Sequence, residues 1–288
     1  MERRRAFCSE VSLEIAEPLA ATASRVDNWI LVEYRGLWGF DALAASGLTD
    51  EVRRHLRTRA RELGRTKLLF VRRPERRGRH GIRVFWGSSP EHGGRLFRAE
   101  LDSHADLLGL DFETVGEPVD HPLFLVCTHG KHDRCCARYG RILYEELREQ
   151  VEEGWAWQCS HIGGDRFAGN LVCLPEGLYF GRVGPPDVWP VLDQYLAGRI
   201  HLDLYRGRSC YPFRIQAAEH AVRAQTGVTG IHDLTLLSQE PIRFDAGGRV
   251  YEADVAEEPG ELMYLTCTSE SLTHPRRYAA RSLRESGA

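Results

Sequence analysis

Along the first hundred residues, apolar positions come in short β-branched and aromatic runs broken by polar turns. Asn28-Trp-Ile-Leu-Val-Glu-Tyr34 is one such run, ended by Gly36, and predicts a strand. Thr49 then stands as a helix N-cap, and Val52, Leu56, Ala60 and Leu63 recur at helical spacing until Gly64. Further strands are predicted at 67–71, 82–86 and 95–101, with a basic loop over 72–80. Residues 111–121 carry acids, Gly116 and Pro118, and mark a boundary. The continuous apolar run 122–127 reads as a strand buried on both faces. Ile142, Leu143 and Leu147 predict a short amphipathic helix after Cys136, and 155–159 another strand. Segments 170–174 and 177–183 pair as a hairpin across Pro175-Glu176, and Pro185-Pro186-Asp187 starts a helix that ends before Gly198. A helix over about 212–225, stopped by Gly227, precedes short strands at 234–237, 242–244, 250–255 and 262–268, with a hairpin turn at 245–248. Residues 1–27 show no clear period, and those after about 269 are polar and expected to fray. No internal repeat stands out in the sequence. Three segments result: an N-terminal α/β segment (1–118), a central domain (119–203), and a C-terminal helix with short strands (204–288).

Composition narrows the class. At 42% hydrophobic and 27% charged residues the chain is that of an ordinary globular protein. A formal net charge of -3 gives no reason to expect nucleic-acid binding, and the basic runs at 3–5 and 72–79 read as solvated segments. No apolar run reaches the ~20 residues that cross a bilayer. The charged N-terminus lacks an apolar signal region, which predicts a cytoplasmic protein whose thiols stay reduced. The eight cysteines are then ligands or buried small hydrophobes, not a disulfide framework. The absence of any Cys-x-x-Cys counts against a dithiol redox site.

Candidate chemistry concentrates in two loops. Cys127-Thr-His-Gly-Lys-His-Asp-Arg-Cys-Cys136 holds three of the eight cysteines and two of the twelve histidines, and Cys159-Ser-His-Ile-Gly-Gly-Asp-Arg166 adds one more of each. Thiolate and imidazole are the side chains that hold iron–sulfur clusters, zinc or copper. Both loops follow apolar strands, where α/β folds place functional residues. Gly163-Gly164, between His161 and Asp165, allows the tight backbone that an inorganic centre demands.

These loops, with Ser160-His-Ile-Gly-Gly-Asp-Arg-Phe-Ala-Gly-Asn170 and Leu174-Pro-Glu-Gly-Leu-Tyr-Phe-Gly-Arg-Val183, resemble the sucrase/ferredoxin-like family, which is related to thioredoxin-like [2Fe-2S] ferredoxins. The resemblance is strongest over 119–203, weaker through Tyr205-Arg-Gly-Arg-Ser209 and Gln216-Ala-Ala-Glu219, and thin over 1–110. It implies an α/β protein in which a thioredoxin-like ferredoxin domain with flanking α+β segments carries a [2Fe-2S] cluster. The implied role is an electron carrier, not a catalyst, serving redox donor and acceptor proteins. The family's widely spaced cysteine pair falls on Cys127 and Cys136, and its later Cys-x-x-x-Cys falls on His161 and Asp165. Eukaryotic members carry His-x-x-x-His there, so this chain departs at Asp165. The fourth ligand stands open between Asp165 by position and Cys159 or Cys135 by chemistry. No pair of carboxylates arranged for glycoside hydrolysis answers to the word sucrase.

Two other readings compete. Cys-x-His-x-x-His-x-x-Cys-Cys suits a structural zinc ion. Cys135 or Cys136, at a helix N-terminus, suits a thiol enzyme. His129 and His132 read as residues around the site and not as ligands. Cys8, Cys173, Cys210 and Cys267 read as buried small hydrophobes, and Trp155 and Trp157 as core. Arg166 either offsets cluster charge or makes a surface ion pair.

Overall fold

The run at 28–34 forms the strand β1 (Asn28–Glu33), and the computed structural model describes residues 6–73, 80–113 and 116–286 of the chain. The basic runs at 3–5 and 74–79 lie outside the described residues. A helix not evident in the sequence, α1 (Cys8–Glu14), precedes β1. Then come α2 (Asp50–Glu62), β2 (Thr66–Arg72), β3 (Ile82–Ser88), β4 (Arg95–Leu101) and the two-residue β5 (Glu117–Pro118). Thr49 caps α2 as its position predicts, its Oγ1 accepting from Val52 N at 3.3 Å.

The central stretch gives β6 (Leu123–Cys127), α3 (Arg134–Glu149), β7 (Ala156–Cys159), β8 (Leu171–Leu174), β9 (Leu178–Phe180) and α4 (Val188–Leu196). β10 (Tyr205–Arg208) and α5 (Phe213–Thr226) follow. β11 (Leu234–Gln239), β12 (Ile242–Ala246), β13 (Arg249–Pro259) and β14 (Arg276–Ser286) form a separate four-stranded antiparallel sheet, against which α5 packs. Among the described residues no helix is long and apolar enough to cross a membrane.

The first ten strands make one sheet in the order β10-β9-β8-β6-β7-β2-β1-β3-β4-β5. β6 runs parallel to β7 and antiparallel to β8, and β9 pairs antiparallel with β8. This is a thioredoxin-like order: strand, helix, parallel strand, hairpin. The N-terminal half repeats it, with β1 parallel to β2, antiparallel to β3, and β4 beyond. The two units join edge to edge where Val71 pairs with Cys159 and Arg72 with Gln158. The sequence shows no such repeat because the two halves share strand order and not residues.

β6 lies near the middle of the sheet. Phe124 and Val126 face α3 with Leu143, Tyr144 and Leu147, while Leu123, Leu125 and Cys127 join Trp157, Val172 and Leu174 on the other face. Burial on both faces explains its unbroken apolar run.

Three expectations need correction. Residues 262–268 are not a strand, and the tail expected to fray is β14, paired with β13 along its length. Tyr278 and Ala280 alternate toward the core, but a bulge at Asp254/Val255 shifts the register and Leu283 takes the next inward place. That shift breaks the period of two, and the outward positions are arginines, so the stretch reads as polar. The helix expected after Cys136 instead begins at Arg134 and takes both cysteines into its first turn.

Candidate metal centre

Cys127 is the last residue of β6, and the chain turns at once into α3. Asp133 caps that helix, its Oδ1 accepting from Cys135 N at 2.7 Å. Gly140 lets α3 lie directly on the strand end, since a Cβ there would come within 1.9 Å of the Cys127 carbonyl oxygen. This close approach sets Cys136, one turn earlier, beside Cys127.

The loop after β7 supplies the other side. Gly164 adopts φ +80°, and a Cβ on it would meet the Arg206 guanidinium at 2.3 Å. Arg206 is 1% exposed and makes no ion pair with a carboxylate among the described residues. It donates to Gly163 O at 3.1 Å, Asn170 Oδ1 at 2.8 Å and Thr22 Oγ1 at 3.0 Å, and so holds the diglycine turn. Burial pulls its guanidinium down to about 10, still charged at neutral pH.

The sulfurs of Cys127 and Cys136 and a ring nitrogen of His161 lie within 4.8 Å of one another. Cys136 Sγ donates to Asp165 Oδ1 at 3.1 Å, and that oxygen is 3.0 Å from His161 Nδ1. His161 Nδ1 is nevertheless buried without an aligned hydrogen bond among the described residues. The cysteines and Asp165 are buried, whereas the His161 side chain is 23% exposed. His132 stacks on His161 with ring centroids 3.7 Å apart. Its Nε2 lies 3.7 Å from Asp165 Oδ2, so it can join His161 and Asp165 around an ion. Outside this pair lies a cavity of about 390 Å³ lined by Phe40, Leu43, Leu68 and the three histidines His129, His132 and His161.

Charges settle in a definite pattern. The hydrogen bond from Cys136, then the nearby His161, holds the Cys127 thiol well below its usual range against the opposing effect of burial. The same bond to Cys127, with burial, pushes Cys136 well above it. Burial works to lower His161, but Asp165 and Cys127 outweigh it and bring the imidazole up to about 9. Burial works to raise Asp165, and His161 outweighs that, keeping it a carboxylate. A metal entering the site therefore displaces one proton from Cys136 and one from His161.

The other sequence candidates lie elsewhere. Cys159 pairs with Cys127 across β6 and β7, but its thiol packs in the core with Leu69, Val71 and Trp157, and it is not among the converging donors. Cys135 faces away from Cys136, because consecutive helical residues are about 100° apart. Its sulfur lies instead near Cys8 and Cys267. His129 Nε2 donates to Gly39 O at 2.6 Å and its Nδ1 accepts from His161 N at 3.2 Å, so both nitrogens are taken. Of the zinc set Cys127, His129, His132, Cys135 and Cys136, Cys127 and Cys136 come together, and His129 and Cys135 are engaged elsewhere. Arg166 pairs with buried Glu17 at 2.8 Å and ties down the N-terminal arm.

Sequence reasoning missed two cations. Arg206 sits in the Tyr-Arg-Gly-Arg-Ser stretch noted only for its resemblance. Lys67, on β2, feels Cys127, Cys159 and Asp165, although burial, the larger effect, lowers its ammonium. An isolated lysine in a strand gave no signal.

The profile of the sucrase/ferredoxin-like family matches residues 19–207. The chain belongs to this family. Cys127, Cys136, His161, Asp165 and Arg206 all fall within the matched region. The chain is also similar to two yeast proteins named altered inheritance of mitochondria protein 32. The one from Meyerozyma guilliermondii is 31% identical over 124 residues, 38% of this chain and 43% of that protein. The one from Debaryomyces hansenii is 30% identical over 108 residues, 34% of this chain and 39% of that protein. The chain thus spans less than half the length of these curated relatives. Among solved structures, a thioredoxin-like [2Fe-2S] ferredoxin from Aquifex aeolicus aligns at 18% identity with a TM-score of 0.28, covering 33% of this chain and 97% of that one.

Proposed function

We propose that Cys127, Cys136, His161 and Asp165 hold a [2Fe-2S] cluster, and that the protein carries single electrons between donor and acceptor proteins of the reducing cytoplasm. The observation that carries this reading is the convergence of two buried sulfurs with an imidazole nitrogen that has no aligned partner, in a member of a ferredoxin-like family. The donor chemistry fits: thiolate and imidazole both bind iron–sulfur clusters, and the free thiols would persist in a reducing compartment. When bound, such a cluster supplies one-electron chemistry.

The chain's own residues do the rest. Cys127 and Cys136 anchor from the buried side. His161 contributes a neutral donor, which makes the centre less negative than four thiolates would and raises its potential, as two-histidine ligation does in Rieske centres. Arg206 and Lys67 place positive charge nearby. His161 and His132 form the side of the site nearest solvent, facing the cavity beside Phe40. Asp165 is the hard donor of the set and the weakest match for iron beside sulfide.

One observation favours a second reading. Cys127, Cys136 and His161 offer three donor atoms within 4.8 Å of one another, a set that also suits a single tetrahedral ion, for which zinc is the natural choice. A visible spectrum followed by a dithionite cycle separates the two. The expected result is a coloured protein that bleaches on reduction and recovers on reoxidation. A colourless protein indifferent to dithionite supports the single-ion reading.

A further inference from the structure

Cys8, Asp133, Cys135 and Cys267 form a second cluster, apart from the first, with donor atoms within 4.8 Å of one another and all four residues buried. Cys8 opens α1, Asp133 and Cys135 sit at the start of α3, and Cys267 lies in the loop between β13 and β14. The sulfur of Cys135 is 3.5 Å from that of Cys8 and 3.3 Å from that of Cys267, and the third side of the triangle is 3.7 Å. The Asp133 oxygens stand 3.8 and 3.9 Å from Cys8 Sγ.

The geometry points to a structural zinc-class site in which three thiolates and the Asp133 carboxylate bind one divalent cation and clip both ends of the chain to the start of α3. Zn–S bonds of ~2.3 Å in a tetrahedron put sulfurs about 3.8 Å apart, near the triangle seen here. A disulfide needs ~2.05 Å, joins only two of the three sulfurs, and leaves the carboxylate where it is. The separations are also too uniform for donors shared between two irons.

Charge is the second observation. Asp133 is fully buried, and among the described residues no lysine, arginine or histidine makes an ion pair with it. Its oxygens accept from Cys135 N and Cys267 N, which caps α3 but leaves the negative charge without a cation. Buried charges are paired or coordinate metals. Ser9 Oγ donates to Cys135 Sγ at 3.1 Å, the contact a thiolate accepts. Arg134, the chain neighbour of Asp133, and Arg138 stack on Phe7 at 5.2 and 4.7 Å, and Arg138 pairs with Glu10 at 3.5 Å.

Binding would release three thiol protons to solvent as three metal–sulfur bonds form. The clip closes the irregular stretch between β13 and β14 onto the N-terminal arm. Cys8 and Cys267 both lie outside the family match at 19–207, so this cluster is an addition to the shared region.

The test uses the full chain purified anaerobically without chelator, analysed for zinc, and compared with a Cys8→Ser/Cys267→Ser variant. The expected result is about one zinc per chain in the former and at least ~10-fold less in the latter, with iron unchanged in both. Cobalt(II) titration of the zinc-depleted full chain should give sulfur-to-cobalt charge-transfer absorption saturating one equivalent later than in the variant. A full chain that carries no zinc and takes up no cobalt through thiolates overturns the site, even if the variant fails to fold. So does a disulfide among Cys8, Cys135 and Cys267 in the non-reduced protein.

Discussion

Cys136→Ser is expected to empty the central site while leaving the fold intact. The substitution changes one buried sulfur to oxygen with almost no change in shape, and the Cys136 side chain bonds to the Asp165 and Cys127 side chains and not to the backbone. A serine hydroxyl at this position stays protonated and is a poor donor to a soft metal, so the centre loses one of its two anionic sulfurs. Loss of iron of ~100-fold or more is expected, read as iron content and visible absorbance, with far-UV circular dichroism unchanged. The two neighbouring cysteines give the contrast. Cys159→Ser should retain the metal, because that thiol packs in the core away from the donors. Cys135→Ser should also retain it, because its sulfur faces Cys8 and Cys267. A bleached Cys159→Ser protein beside an unchanged Asp165→Ala protein would instead make Cys159 the fourth ligand.

Arg206→Met should cost about 3–5 kcal/mol of unfolding free energy, measured by denaturant titration, and should lower metal retention as well. The guanidinium is buried and bonds to groups from three parts of the chain: the N-terminal arm at Thr22, the diglycine turn at Gly163, and Asn170 before β8. Methionine fills similar space but leaves each of those acceptors without a partner in a site that water does not reach. The turn carries His161 and Asp165 on either side of Gly163-Gly164, so loosening it separates two of the four donors. Arg206→Lys should not rescue the protein, since an ammonium lacks the planar fork that reaches all three groups.

Much of the central region was legible because its signals are local. The apolar run of β6, the glycine-stopped helices and the hairpin around Pro175-Glu176 depend on neighbours in sequence, and the structure forms them. The two loops stand out by residue type, and the fold brings Cys127, Cys136 and His161 together, with Asp165 in contact with Cys136 and His161. Long-range features had no such signal. Cys8 and Cys267 are 259 residues apart, and each alone reads as a small buried residue. β14 is recognisable only through its pairing with β13, whose bulge breaks the alternation. The repeated strand order of the two halves is a property of connection, invisible to a residue-by-residue reading. Cys135 and Cys136 look interchangeable in sequence, and only the turn of α3 sends them to different sites.

Iron and acid-labile sulfide, measured together with zinc on anaerobically purified Cys8→Ser/Cys267→Ser protein, test the central site most directly, because that variant removes the second cluster from the count. About two irons and two sulfides per chain, with little zinc, are the expected result. One zinc per chain with neither iron nor sulfide would contradict it and assign Cys127, Cys136, His161 and Asp165 to a single structural ion.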